Sequence, residues 1–388
     1  MDEQPYKIPD NWQWTTLGKI ANWGSGGTPL KKHSEYYNGN IHWIKTGDLN
    51  NDYIYDSEEK ITLNGLKNSS AKLYPINTIV IAMYGATVGK VGILGIEAAT
   101  NQACACAICN STIHFKYLFY YLISQKDTFI LISRGSAQPN ISQSIIKNYP
   151  MPLPPLTEQE RIIKTIETLS NKLDNARIIA QKIVDSYELR RSVILHKAFN
   201  ISYVKVKLSK LLSVSKETTT DFSNPNLKYI CLDNIKKDCG IVSYKNTEKI
   251  KSTKNVFKMG QILYGKLRPY LNKHDVAKFD GVCSTDIIVF NHCDNTLADY
   301  INYYFDTEKF INYIVPKAKG NTLPRVTKKD VLEAECPLPP YEKQKEIVHI
   351  LDNLLSKEQR TKELAEQVLQ KIDLMKKTIL ARAFRGEL

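Results

Sequence analysis

The stretch Met151-Pro-Leu-Pro-Pro-Leu-Thr-Glu-Gln-Glu-Arg-Ile162 recurs 185 residues later as Cys336-Pro-Leu-Pro-Pro-Tyr-Glu-Lys-Gln-Lys-Glu-Ile347. The same offset relates two further pairs of segments, residues 135–141 with 320–326 and residues 194–199 with 379–384. One constant offset across about 65 residues is difficult to obtain by chance, and such self-similarity indicates an internal duplication. The chain is therefore predicted to contain two copies of one structural plan.

A long helix is predicted behind each proline run, because the apolar residues that follow alternate in steps of four and three. A helix of about 40 residues would be ~60 Å long. Thr157 is the predicted N-cap of the first helix, and Arg190 interrupts its heptad seam. The predicted seam of the first helix comprises Ile162, Ile166, Leu169, Leu173, Ala176, Ala180, Ile183, Tyr187, Ile194 and Ala198. That of the second comprises Ile347, Leu351, Leu354, Ala365, Val368, Ile372, Met375 and Ile379, with Glu358 and Thr361 as polar interruptions.

The predicted fold class is α+β, with two similar α/β modules separated by two long helices that form an antiparallel coiled coil with pseudo-two-fold symmetry. The modules are residues 1–150 and 200–335, and the helices are residues 151–199 and 336–388. Within the modules only fragments correspond, such as Tyr84-Gly85 with Tyr264-Gly265, at an offset near 180. Two related binding modules with different targets would show this pattern, and a duplicated structural scaffold is the alternative.

The charge balance favours a polyanionic partner. The chain holds 53 Lys and Arg against 40 Asp and Glu, a net charge of +13, and residues 200–335 carry more of this excess than any other segment. No apolar run reaches the ~18–20 residues of a membrane span, and no signal region follows Met1, so we expect a cytoplasmic protein without a membrane partner. Cys104, Cys106 and Cys109 lie in an alternating apolar segment and are expected to be packed thiols rather than metal ligands.

Three kinds of loop carry candidate DNA contacts. Arg, Lys, Gln and Asn are the side chains that read base edges, whereas Lys and hydroxyl side chains hold phosphates. For each loop alone, a solvated surface explains the residues equally well, and the recurrence of the loops in both halves favours DNA. The first kind, a flexible Gly26-Gly27 turn, carries Lys31 and Lys32; the second carries Thr87 and Lys90, with Lys266, Arg268, Tyr270 and Lys273 in the other half; the third carries Arg134, Gln138 and Asn140, with Lys319, Asn321 and Arg325 in the other half.

Catalytic motifs are absent from the sequence. The segment Gly85-Ala-Thr-Val-Gly-Lys90 has three residues between its glycines where a phosphate-binding P-loop has four, and Val91 stands where that loop needs Ser or Thr. No nucleophile elbow, zinc-protease motif or dinucleotide-binding glycine loop is present. We therefore expect a chain that is not an enzyme and that binds no cofactor or metal itself.

Two variable modules, each followed by Pro-Leu-Pro-Pro-x-x-x-Gln and a long helix ending in Ile-Leu-x-x-Ala-Phe, resemble the specificity subunit of a type I restriction-modification enzyme. The resemblance covers the whole chain and includes residues 24–29, residues 43–48 and the terminal Arg385-Gly-Glu-Leu388. Tyr341-Glu-Lys departs from the more typical Leu-x-Glu that precedes the glutamine in this family.

The resemblance implies two target-recognition domains, each reading one half of a split site in double-stranded DNA, with the helices as spacers. It also implies two adenine-N6 methyltransferase subunits and, in the full complex, two ATP-dependent restriction and translocase subunits as partners. S-adenosylmethionine, ATP and Mg are then expected on those partner subunits. The alternatives are a protein-interaction scaffold that does not read DNA sequence and a self-contained modifying enzyme.

Overall fold

The computed structural model describes residues 5–133, 140–200, 202–224, 226–247, 250 and 252–388. The chain divides into two compact units, the first formed by Met1–Ile179 with Val368–Leu388 and the second by Ala180–Gln367. Each unit combines a globular mixture of helices and strands with segments of two long helices, as the predicted fold class requires. Among the described residues, no helix is long and apolar enough to cross a membrane.

The globular part of the first unit contains eleven strands and five short helices within the residues described. The strands are β1 (Gln13–Thr16), β2 (Ala21–Ser25), β3 (Tyr37–Ile44), β4 (Tyr53–Ile54), β5 (Glu59–Ile61), β6 (Leu73–Tyr74), β7 (Ile79–Ala82), β8 (Val91–Leu94), β9 (Ala98–Thr100), β10 (Cys104–Cys109) and β11 (Pro150–Leu153). The helices are α1 (Leu17–Ile20), α2 (Leu63–Lys67), α3 (Phe115–Ser124), α4 (Lys126–Ser133) and α5 (Gln143–Asn148). The first long helix, α6 (Leu156–Asp185), follows them.

The second unit repeats this plan. After α7 (Tyr187–Phe199) its strands are β12 (Lys205–Lys207), β13 (Leu212–Val214), β14 (Thr218–Thr219), β15 (Lys228–Ile230), β16 (Ile235–Lys236), β17 (Gly240–Ile241), β18 (Lys245–Asn246), β19 (Lys254–Phe257), β20 (Ile262–Gly265), β21 (His274–Val276), β22 (Gly281–Cys283), β23 (Ile287–His292) and β24 (Glu335–Pro337). Its helices are α8 (Ala298–Phe305), α9 (Glu308–Ile314), α10 (Lys328–Leu332) and the second long helix, α11 (Tyr341–Ala383).

Sheet order shows which elements correspond. Strands β2-β10-β7-β8 of the first unit have the order and antiparallel pairing of β13-β23-β20-β21 in the second. The two-stranded pair β1-β11 likewise corresponds to β12-β24, so each proline run forms a strand on its own unit before the long helix begins. Further strands form the remaining sheets, β5-β3-β9-β6 in the first unit, and β14-β19-β22-β15-β18 and β16-β17 in the second; β4 extends the first sheet beside β8.

Tyrosines of α3 and α8 attach these helices to the proline strands. Tyr117 and Tyr121 donate their hydroxyl hydrogens to the carbonyls of Pro152 and Pro150, at 3.2 and 2.5 Å. Their counterparts in the second unit make the same bonds, Tyr300 to Pro337 at 2.8 Å and Tyr304 to Glu335 at 2.6 Å. All four rings are buried, which satisfies their hydroxyls in the core.

The glutamine in each proline motif is fully buried. Gln159 accepts a hydrogen bond from the His114 N–H at 2.8 Å and donates to the carbonyls of Pro154 and Thr112, at 2.9 and 3.1 Å. Gln344 does the same with Leu297 N–H, Pro339 and Asn295, at 2.9, 3.0 and 3.1 Å. This side chain joins the start of each long helix to the loop before α3 or α8.

Two features of the predicted helices are corrected. The first helix begins at Leu156, so Thr157 lies inside it and is not the N-cap. The first predicted helix is also divided into two, because α6 ends at Asp185 and α7 begins at Tyr187. The second helix is continuous over 43 residues.

The long helices pack antiparallel within each unit. In the first, Lys376 donates to Asp174 at 2.5 Å and Arg177 pairs with Asp373. In the second, Tyr187 donates to Gln359 at 2.8 Å and Arg190 to Glu358 at 2.7 Å. In both units the residue number rises along one helix as it falls along the other.

The predicted seam of the first helix is confirmed, since each of its residues is buried or half-buried. In α11 four seam assignments are wrong, because Leu354, Thr361, Val368 and Met375 are exposed. The buried or half-buried positions there include Leu355, Glu358, Lys362, Leu369 and Lys376. Polar residues at these positions are half-buried and paired across the helices, which a purely apolar pattern cannot reveal.

Candidate nucleic-acid interface

One hairpin turn has left-handed residues at the same two positions in both units. In the first unit the β7–β8 connection places Gly85 at φ +68 and Gly89 at φ +77, with Lys90 next. In the second, the β20–β21 connection places Arg268 at φ +50 and Asn272 at φ +42, with Lys273 next. Each pair of left-handed residues is accompanied by one 3-10 turn: Gly85–Thr87 begins at the first left-handed residue, and Pro269–Leu271 begins one residue after it. We call residues 85–89 and 268–272 the reading turns.

Strand register fixes this correspondence. Ile79 pairs with Ile93 in one hairpin, and Ile262 pairs with Val276 in the other. Gly85 therefore corresponds to Arg268, and the sequence-based match of Tyr84-Gly85 with Tyr264-Gly265 is wrong by three positions. The error arose because Tyr-Gly occurs at different points of the two hairpins.

The energetic cost of a left-handed backbone depends on the residue type at that position. Glycine adopts positive φ without strain, and asparagine tolerates it, but arginine there is uncommon and must be held by its surroundings. Backbone of this kind concentrates at ligand-contact sites. In the second unit, the exposed Arg268 occupies the first of these left-handed positions.

A second segment crosses beside each reading turn. Tyr84 forms a β-bridge with Asn140, and the N–H of Ile141 donates to Met83 at 2.9 Å. In the second unit Leu267 forms the equivalent bridge with Arg325, and the N–H of Val326 donates to Lys266 at 3.1 Å. Lys319 and Arg325 also exchange two backbone hydrogen bonds of 2.9 Å. The structure thus brings together candidate residues that are about 55 positions apart in the sequence.

The candidate contact residues of the first unit differ in how far they are exposed. Thr87 is half-buried in the reading turn, where its hydroxyl donates to the Tyr84 carbonyl at 3.1 Å, and Lys90 is half-buried behind it. Asn140 is exposed beside the turn. The candidates Arg134 and Gln138 lie outside the described residues.

Lys31 and Lys32 are exposed on the segment after β2. Strands β2 and β7 end at the same edge of the sheet, because Ser25 and Ala82 pair with Ala105 and Cys104 at the start of β10. The segment and the reading turn therefore leave the sheet on one side. The expectation of a flexible Gly26-Gly27 turn is wrong: both glycines are buried, and a Cβ on Gly26 would overlap the Thr100 carbonyl.

Among the described residues, more candidate contact residues are exposed in the second unit than in the first. Arg268, Tyr270, Lys319, Asn321 and Arg325 are exposed, and Lys266 is half-buried. Lys273 differs from the prediction in one respect, since its ammonium donates to the Leu232 carbonyl at 2.6 Å and lies against the protein. Sequence reasoning overlooked two exposed apolar side chains on the same loops, Leu271 and Leu323.

The cations of these loops are available to a ligand. Across the part of the chain that the structure describes, no carboxylate lies within 4.0 Å of the cationic groups of Lys31, Lys32, Lys266, Arg268, Lys319 or Arg325. Guanidinium groups of this kind suit bidentate recognition of guanine or phosphate, and lysines suit phosphate. The loops therefore have the chemistry of a DNA-contacting surface.

Specificity subunits of type I restriction enzymes are similar to this chain. The Escherichia coli type I restriction enzyme EcoDI specificity subunit is 24% identical over 312 residues, 70% of each chain. The Methanocaldococcus jannaschii MjaVIII specificity subunit is 23% identical over 94% of this chain and 92% of its own.

Solved structures share the fold. The HsdS subunit from Thermoanaerobacter tengcongensis has a TM-score of 0.71 at 20% identity, covering all of both chains. A chain from a structural study of complex assembly and conformational transition of the type I R-M system has a TM-score of 0.74 at 21% identity, covering 99% of this chain and 100% of that one. The family model for the type I restriction modification DNA specificity domain matches twice, over residues 9–183 and 203–370. The chain therefore belongs to the type I restriction modification DNA specificity domain family.

Proposed function

We propose that this chain is the specificity subunit of a type I restriction-modification complex and reads a bipartite site in double-stranded DNA, one half-site per unit. The observation that carries the proposal is the reading turn with its crossing segment, built on one backbone frame in both units but bearing different side chains. A constant frame with variable contact residues is suited to recognising two different half-sites.

Base reading in the second unit is assigned to Arg268 and Arg325, whose guanidinium groups can donate two hydrogen bonds to guanine. Tyr270, Leu271 and Leu323 add apolar contacts, such as to a thymine methyl group. In the first unit the glycines at positions 85 and 89 carry no side chain, so Thr87 and Asn140 take the corresponding roles. Lys31, Lys32, Lys90, Lys266 and Lys319 are assigned to phosphates, which fix register and carry no sequence information.

The two long helices are proposed to set the unspecified spacer between the half-sites. Duplex DNA has local dyad symmetry, so two similar modules can engage oppositely oriented half-sites. In this arrangement helix length, rather than a side-chain contact, determines how many base pairs separate them.

Two methyltransferase subunits are proposed to dock on the outward faces of the helices. In the second unit Ile350, Leu354 and Leu364 of α11 and Leu189 and Val193 of α7 are exposed, and exposed apolar side chains at helical spacing suit a partner helix. The methyltransferases would supply adenine-N6 chemistry with S-adenosylmethionine, and two restriction subunits would supply ATP- and Mg-dependent cleavage. This chain contributes recognition without catalysis and acts in the cytoplasm.

Co-expression with a candidate methyltransferase subunit, in a host without other adenine methylation, tests the proposal. We expect genome-wide mapping to show N6-methyladenine at one bipartite motif with a fixed spacer. A protein-interaction scaffold would instead bind DNA independently of sequence and with weak salt dependence. No methylated motif, together with equal binding of specific and random duplexes by the assembled complex, would refute the proposal.

A further inference from the structure

A buried polar cluster lies directly behind the reading turn of the second unit. It consists of Arg191, Asn272, His274 and Asp306, which we call the anchor cluster. All four are at most 9% exposed at the side chain or residue level. Asn272 is the left-handed residue that closes the turn, and Arg191 lies on α7.

Asp306 is the centre of the cluster. Its Oδ1 accepts from Asn272 Nδ2 at 2.9 Å and from His274 Nε2 at 3.1 Å. Its Oδ2 accepts from Arg191 Nη2 at 2.7 Å. Asn272 Nδ2 also donates to the Phe305 carbonyl at 3.1 Å and lies 3.0 Å from His274 Nε2. One carboxylate thus links the end of the reading turn to the spacer helix.

The remaining charges around the cluster are also paired. His274 Nδ1 faces Asn302 Oδ1 at 2.7 Å, so both ring nitrogens have acceptors, as a protonated imidazole requires. Arg191 Nε lies 3.2 Å from Asp238, whose other oxygen is 3.9 Å from Lys237. Asp275 is the other nearby carboxylate, and it accepts from the Ile241 N–H at 2.7 Å. Arg191 and His274 thus both contact Asp306, and Arg191 also contacts Asp238, within one buried site.

The first unit has no such cluster at the corresponding described positions. Strand register places Gly89 at the position of Asn272 and Val91 at the position of His274. The matching tyrosine bonds of α3 and α8 place Ile123 at the position of Asp306. Glycine takes the left-handed conformation without help. Asparagine and Arg268 have Cβ atoms, so the second turn needs a side-chain anchor that the first does not.

We propose that Asp306, His274 and Asn272 are positioning residues for sequence recognition by the second unit, because they fix the reading turn that presents Arg268 and Tyr270. The inference rests on the proposed function. It predicts that loss of the anchor changes base preference in one half-site only, while the other half-site serves as an internal control.

Three variants of the full chain, assembled with the methyltransferase subunit, test this: N272G, D306N and H274Q. N272G keeps the left-handed backbone available and removes only the anchor, so it tests the inference even if D306N does not fold. V331A, a buried substitution elsewhere in the second unit, is the matched control for general destabilisation. The half-site read by the second unit is assigned beforehand with R325A.

Methylation mapping is the readout. We expect N272G and D306N to reduce discrimination at positions of the second half-site by about tenfold to a hundredfold, with the first half-site unchanged, and V331A to change neither. H274Q should give a smaller change in the same half-site. Unaltered preference in N272G, or equal relaxation of both half-sites, overturns the inference. Failure of the wild-type complex to methylate any bipartite motif would instead refute the proposed function.

Discussion

Arg190 Nε lies 2.7 Å from Glu358 Oε2, and this ion pair joins a polar position in the apolar seam of the first long helix to one in the seam of the second. The Arg190 guanidinium also donates to the Ile183 carbonyl at 3.2 Å and to the Ser186 hydroxyl, where α6 gives way to α7. The pair is half-buried and fixes register between the helices in the second unit, a use for which polar seam residues are known.

Removing either partner should therefore destabilise the second unit. We expect R190A and E358A each to lower the free energy of unfolding by about 1 kcal/mol, with a coupling of similar size in a double-mutant cycle measured by urea denaturation. The exposed pair Lys329–Glu333 is the control, with a coupling of about 0.3 kcal/mol. Equal coupling for the two pairs would contradict the role in register.

Gln159 and Gln344 should be equally sensitive to substitution. Alanine at either position leaves one backbone N–H and two backbone carbonyls without their partner, and the bond to one of those carbonyls, Pro154 or Pro339, is fully buried. We expect this to cost about 2–4 kcal/mol of unfolding free energy. Q181A, on the exposed surface of α6, should cost less than about 0.5 kcal/mol. Thermal unfolding of the three variants distinguishes these outcomes, and a Q159A protein as stable as Q181A would contradict the assignment.

The two reading turns should respond oppositely to the loss and gain of glycine. G89A introduces a Cβ at φ +77 and 3.2 Å from the Lys126 side chain, so we expect a loss of about 1 kcal/mol or more. R268G relieves a left-handed arginine and should leave stability unchanged or slightly higher while it weakens recognition of the second half-site. Calorimetry together with methylation mapping tests both, and full recognition by R268G would remove Arg268 from the interface.

Stability should depend on pH through the anchor cluster. Burial alone lowers the pKa of His274, but the charge and hydrogen bond of Asp306 outweigh burial, and the pKa is raised above its usual value. The contribution of the protonated ring is therefore complete below about pH 6.5, the ordinary pKa, and is lost as pH rises through the higher folded pKa.

The difference in unfolding free energy between wild type and H274Q measures this contribution. We expect the difference to be largest in mildly acid buffer and to decrease at alkaline pH. Asp306 does not confuse the measurement, because its pKa is lowered and its own contribution is lost only in strong acid. A difference that grows with rising pH would contradict a protonated His274.

Shortening both helices by one heptad should shorten the DNA spacer. Deleting residues 179–185 together with their antiparallel counterparts 365–371 preserves the seam and removes about 10 Å of helix. At 3.4 Å per base pair we expect a spacer about three base pairs shorter, or no methylation if the half-sites lose their rotational phase. Methylation at the original spacer would contradict the helices as spacers.

Much of the fold was predictable, because the duplication and the heptads are properties of periodicity alone. The offset of 185 located both proline runs and both long helices. The misassigned seam residues Leu354, Val368 and Met375 show the limit: an apolar pattern does not reveal that Lys362 takes an inward position, with its ammonium over the Tyr187 ring of the partner helix.

The site was less predictable for a different reason. Sequence comparison aligned residues by identity, whereas the reading turns correspond by backbone conformation. Gly85 and Arg268 share no side-chain property, so nothing in the sequence shows that they occupy equivalent positions. The anchor cluster was equally hidden, since His274 and Asp306 are distant in the chain and ordinary in composition. A buried ion network becomes visible only when strand register places the residues side by side.

The open space around Gly85 has a consequence for how such proteins acquire new targets. A Cβ at this position would meet nothing within 4 Å, so the only obstacle to a side chain is the left-handed backbone, which asparagine tolerates. A single G85N replacement could therefore add a donor–acceptor side chain to a turn that now has none at this point. Under the proposed function, a change of DNA target would then need neither a new loop nor a new fold, only exchange of one residue on this hairpin.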